Sequence, residues 1–127
     1  MRLSTACAPR VADPLSQFFA RDGRIGLLYG NASLTRLALS GITLAAVNHR
    51  DAWVLDGANS FDAYFVARLA RYSGSAPETV LSRIRLSRAF TCYQMATLVT
   101  QKLKASLDSS IPSAVVCLGL LETFYDD

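Results

Sequence analysis

Residues 53–62 read Trp-Val-Leu-Asp-Gly-Ala-Asn-Ser-Phe-Asp. A short apolar run ends in an aspartate, a turn follows, and Phe61-Asp62 leads into a new pattern. With Ala52 the apolar run gives a strand over 52–55. After the turn, Phe61, Tyr64, Phe65, Arg68, Leu69 and Tyr72 recur at helical spacing until Ser73-Gly74 ends them. About thirty residues on, Arg88-Ala89-Phe90-Thr91-Cys92-Tyr93-Gln94 makes a second strand-to-helix junction. There Thr91-x-x-Gln94 has the capping-box pattern that satisfies the first free amides of a helix.

Outward from these junctions the alternation continues. Leu15 to Phe19 is a short apolar patch before the Asp22-Gly23 turn. Arg24 to Tyr29 reads as a buried first strand, stopped by Gly30-Asn31. Leu34, Leu37, Ala38, Ile42, Ala45 and Ala46 then trace a helix, with Ser33 or Asn31 available as N-cap. Pro77 opens a short helix at its favoured first position. Ile84 to Ala89 is the third strand. The helix beginning at Thr91 carries a core stripe of Met95, Leu98, Val99, Leu103 and Leu107. After the loop at Asp108 to Pro112, Ala114 to Leu118 is the fourth strand, a continuous apolar run of the kind found in parallel sheets covered on both faces. The expected fold is α/β, a three-layer α/β/α sandwich around a mostly parallel sheet of about four strands with right-handed crossovers. Residues 1–13 are expected to be a lead-in and 14–127 a single core domain.

Composition narrows the function. With 51% hydrophobic and 18% charged residues, the chain has the makings of a packed core and not of a disordered segment. A net charge of +3 falls short of a nucleic-acid footprint, and Arg83, Arg85 and Arg88, the densest basic cluster, read first as structural pairing. Cys7, Cys92 and Cys117 have no CxxC spacing, so neither a zinc site nor a disulfide framework is expected, and Cys117 reads as a small core residue. No secretory h-region or membrane-length apolar run interrupts the pattern, which predicts a cytoplasmic protein. His49, at a helix end, has no nucleophile or ligand pattern around it. Trp53 and the five tyrosines read as dispersed core positions and not as a base-stacking platform. Asp56 and Asp62 lie across a turn with no fixed separation, so no acid–base pair is assigned.

The order of elements, with Phe61-Asp62-Ala63-Tyr64 and Leu69-Ala70-Arg71, resembles the RecA/recombinase superfamily over roughly residues 14–127. The resemblance implies a P-loop ATPase core in which the first strand runs into G-x-x-x-x-G-K-[ST]. Here the stretch is Gly30-Asn31-Ala32-Ser33-Leu34-Thr35-Arg36-Leu37. Anchored on Gly30, Thr35 replaces the second glycine, Arg36 the lysine and Leu37 the hydroxyl residue. Anchored on Leu37, the loop is two residues short, with Leu34 in the lysine slot and Thr35 in the hydroxyl slot. The family's second strand delivers a glutamate that activates water, and its fourth ends in a magnesium-holding aspartate. The matching positions are Ala58 and Gly119. Glu122, Asp126 and Asp127 read as a solvated acidic tail.

With lysine, glutamate and aspartate all lost, the resemblance implies a degenerate RecA-like protein without ATP hydrolysis. Its expected role is that of an accessory or partner-binding paralogue linked to DNA repair or recombination. No catalytic residue and no metal ligand is assigned. Gly30, Asn31, Ser33, Thr35, Arg36 and Asp56 form a vestigial nucleotide-binding set, and no cofactor is expected, ATP with magnesium being what the intact family holds. The alternatives are a nucleotide-binding protein with residual ATP affinity, or a purely structural domain. In the family a later strand lies between the first and the fourth. If that slot is empty, the first strand pairs directly with the fourth or a second copy covers the edges. Self-association or a protein partner is therefore expected, with DNA as the weaker alternative and no membrane. A fragment of a longer ancestral gene is the remaining reading.

Overall fold

The computed structural model describes residues 25–112 and 114–125. The lead-in at 1–13, the patch at 15–19, the Asp22-Gly23 turn and the terminal Asp126 and Asp127 lie outside the described residues. Helices α1 (Ser33–Val47), α2 (Ala63–Tyr72), α3 (Pro77–Ser82), α4 (Cys92–Thr97), α5 (Leu103–Ser109) and α6 (Glu122–Tyr125) surround strands β1 (Ala52–Asp56), β2 (Ile84–Arg88) and β3 (Ala114–Leu118). The sheet is wholly parallel, in the order β2-β1-β3. Register pairs Ala52 with both Ile84 and Ala114, and Asp56 with both Arg88 and Leu118.

Strand alternation explains why β1 is buried along its whole length. Ala52 and Val54 point into a core with Ala38, Leu39 and Ile42 of α1 and Leu118 of β3. Leu55 points the other way, onto Ala89, Met95 and Leu98. Helices therefore cover both faces of the sheet. A third cluster, Ala46, Val66, Ala70 and Val80, ties α1, α2 and α3 together. Each large side chain buried here contributes on the order of 1.5–3 kcal/mol. The β1-to-β2 crossover runs over the α1 face, and the β2-to-β3 crossover returns past β1 over the opposite face. Opposite direction on opposite faces gives both crossovers the same hand, as chirality requires.

Local signals set the helix starts. At α1 neither expected residue is the N-cap: that position is Ala32, without a side-chain cap, and Asn31 just ahead of it accepts from the Ser33 amide at 3.0 Å. Asp62 caps α2 by accepting from the Phe65 amide, and Pro77 opens α3. Thr91 Oγ1 accepts from the Gln94 amide at 3.1 Å while Gln94 Oε1 accepts from the Phe90 amide at 2.8 Å. Thr91→Ala is expected to cost about 1 kcal/mol in chemical denaturation, the worth of one cap.

The sequence expectations need correction at five places. Residues 25–29 form no strand, and Ile25, Leu27 and Tyr29 are exposed, because no sheet edge pairs with them. The described sheet consequently has three strands instead of about four. Among the described residues β3 is an edge strand, and Cys117 is exposed on it instead of sitting in the core. Partial enclosure still desolvates the Cys117 thiol and pushes its pKa up. All five tyrosines are exposed, since the buried stripe of α2 is Val66 and Ala70, which leaves Tyr64 and Tyr72 on the solvent side. Finally, the helix after β2 is not regular. Between α4 and α5, Leu98–Lys102 form a π-helical turn, and the Leu103 amide donates to the Leu98 carbonyl five residues back. Among the described residues no helix is long and apolar enough to cross a membrane.

Candidate functional site

In parallel α/β sheets, ligands bind outside the carboxyl ends of the strands. Here that end is organised by Asp56, the last residue of β1, whose side chain is 0% exposed. Its Oδ1 accepts from the Ala58 amide at 3.2 Å and the Ser60 amide at 3.0 Å, and its Oδ2 accepts from the Phe61 amide at 2.9 Å. The turn therefore folds around the carboxylate. Ala58, Ser60 and Phe61 are the donors, and Asn59 between them takes the left-handed conformation at φ 51°.

The remaining partner of Asp56 is Arg88. Both end their strands and are register partners, which brings Arg88 Nε to 3.4 Å from Oδ2. A second Arg88 nitrogen donates to the Phe61 carbonyl at 3.3 Å. The other two arginines of the cluster also make local contacts, although Arg83 Nε is buried without a hydrogen-bond partner. Arg83 meets Asp51 at 3.5 Å and the His49 carbonyl at 3.3 Å, and the Arg85 guanidinium lies 5.1 Å from the Trp53 ring centre. The cluster thus makes structural pairings at a partly solvated edge.

Ala58 and Gly119, where the resemblance would put carboxylates, face each other. The Gly57 amide donates to the Leu118 carbonyl at 2.8 Å, closing the β1 turn onto the end of β3. A Cβ on Gly57 would come to 2.5 Å from Met95 Cε and 2.7 Å from the Gly119 carbonyl. One on Gly119, which has φ +60°, would overlap the Ala58 Cβ and approach Glu122 Cγ at 2.7 Å. A side chain at 119 is thus barred by Ala58 and by the Glu122 side chain, and Ala58 itself carries no acid.

The other residues of the expected nucleotide-binding set lie apart. Gly30, Asn31, Ser33 and Arg36 are exposed and Thr35 is half-buried at the start of α1. Asn31 Oδ1 engages both the amide and the hydroxyl of Ser33. The Arg36 guanidinium lies 5.4 Å from the Phe65 ring centre. None of these residues hydrogen-bonds Asp56, whose acceptors are taken by its own turn and Arg88. Among the described residues no group of three His, Cys, Asp or Glu is placed to hold a metal ion.

One cleft at this end was not foreseen in the sequence. About 330 Å³ in volume, it is lined by Arg88, Tyr93, Gln94, Thr97, Leu98 and Lys102. The Arg88–Asp56 pairing was accessible from aligning two strand ends, whereas the cleft depends on the π-turn. No protein-family model matches the chain, and no curated protein does either.

Proposed function

We propose that this chain is a degenerate RecA-like protein that does not hydrolyse ATP and acts by binding a protein partner, itself included. The observation that carries the reading is the mutual contact of the Ala58 and Gly119 positions around the Gly57–Leu118 hydrogen bond. Neither position carries a carboxylate, a side chain at 119 would clash with Ala58, and Asp56 is committed to its turn. The loop at Gly30 offers no lysine, and its Asn31 and Arg36 are engaged locally. Residual ATP affinity through that loop is therefore the less favoured reading.

Topology supports the finer RecA-type sheet. A strand preceding α1, joined by a crossover of the same hand on the same face, belongs on the β3 side of β1. That side ends, among the described residues, in the unpaired edge of β3. The apolar segment at 25–29 is extended in sequence character and exposed in the chain. An open parallel edge among the described residues, in a chain that also exposes a strand-like segment, favours association by strand pairing. The internal pairing of Arg83, Arg85 and Arg88 argues for a protein partner over DNA. A link to DNA repair rests on the resemblance alone.

Thermal stability is expected to be unchanged by micromolar ATP with or without magnesium, and no phosphate release should exceed the buffer rate. A saturable, magnesium-dependent rise in Tm would overturn the reading. Sedimentation over a range of concentrations is expected to show self-association that Cys117→Lys, a charge on the exposed edge, weakens.

A further inference from the structure

We infer that the cleft between the end of β2 and the α4–α5 helix binds a phosphate monoester of a nucleoside, its phosphate and its flat base held apart by the sugar, at a site separate from the Gly30 loop. Three observations carry this. The first is charge: the lining contains Arg88 and Lys102 and no carboxylate. Among the described residues the ion pairs are Arg83–Asp51 and Arg88–Asp56, so Lys102 has no acidic partner there. Arg88 uses Nε and one other nitrogen internally, which leaves further donors of its five for a ligand. Asp56, behind it, is fully buried with its oxygens engaged, so it fixes the guanidinium without occupying the cleft.

The second is the helix geometry. In a regular α-helix Lys102 would stand about 140° around the axis from Thr97. In the π-turn, residues five apart lie one above the other, so Lys102 comes onto the Thr97 side and into the cleft. Such turns are uncommon and recur at functional sites. Here the turn has an identifiable result, the delivery of a second cation.

The third is the remaining lining. Tyr93 is 82% exposed and offers a ring face, while Gln94 and Thr97 contribute an amide and a hydroxyl. A phosphate between the two cations and a ring against Tyr93 uses each group. About 330 Å³ is at the small end for ligand pockets, which suits a monophosphate and not an enclosed triphosphate.

The test is titration with AMP, without magnesium, followed by amide NMR shifts and calorimetry. The amides of Tyr93 to Lys102 are expected to shift saturably at millimolar AMP, and adenosine should bind about tenfold more weakly. Lys102→Glu is expected to weaken AMP at least about tenfold, with Lys102→Gln in between and Tm unchanged for both, since the side chain is exposed. Arg36→Ala should leave binding as it is. Absence of saturable shifts, indifference to Lys102→Glu, or movement of the shifts to Ser33–Arg36 with loss in Arg36→Ala would overturn the inference. Magnesium-dependent ATP binding at the loop would overturn the preceding proposal alone, so the two failures are distinguishable.

Discussion

Asp56→Ala is expected to lower stability by about 3–4 kcal/mol, the largest loss of any single side chain at this end of the sheet. The carboxylate accepts from three backbone amides and from Arg88, and nothing else is positioned to satisfy those donors once it is gone. The turn at 57–61 would lose its centre, and with it the entry into α2. Arg88→Ala should cost only about 1 kcal/mol, because its side chain is 38% exposed and the amide contacts of Asp56 survive. A thermal melt resolves the difference: Asp56→Ala should fall by roughly 10 °C and Arg88→Ala by a few. Equal effects would mean that the ion pair, and not the turn, holds the carboxylate in place.

Gly119→Asp, which puts back the acid that the resembled family carries, should cost about 3 kcal/mol and yield no ATP hydrolysis. Two terms combine. The residue sits at φ +60°, and its Cβ would overlap that of Ala58 while crowding Glu122. Gly74→Ala separates the terms, since Gly74 has φ +76° with open space around it. That control should cost about 1 kcal/mol, the conformational part alone. Denaturant midpoints for the two variants decide the matter, and similar losses would show that the strand ends are not tightly closed.

The sequence made legible those features that depend on neighbours along the chain. Thr91-x-x-Gln94, Pro77 and Ser73-Gly74 act within one turn, and the structure has a cap, a helix start and a helix stop at those places. Ala52–Leu55 was readable because a central strand needs apolar residues on both faces. β3 carries the same kind of run, yet lies at an edge, since hydrophobicity reports cover by helices and not the presence of a neighbouring strand. Residues 25–29 fail for the same reason: strand propensity specifies an extended backbone but cannot supply a ladder partner. Tyr64 and Tyr72 fit a helical period, and only packing against α1 shows that Val66 and Ala70 face inward. At the candidate site, the absence of a carboxylate at Ala58 and Gly119 was readable, whereas the place of Lys102 was not. Its place depends on a π-turn that the 3.6-residue period does not anticipate.

The central position of β1 also bears on how the chain folds. Both ladders run through it, joining Ala52 to Ile84 and to Ala114. Closing the second loop spans about twice the chain length of the first and costs roughly 0.6 kcal/mol more in entropy. The β1–β2 unit therefore assembles ahead of β3 docking, and during that interval one flank of an almost wholly apolar strand lacks its partner. Such a species is sticky. Crowded synthesis and slow refolding are the conditions under which chains of this design lose material to aggregates, well before the native state itself becomes unstable.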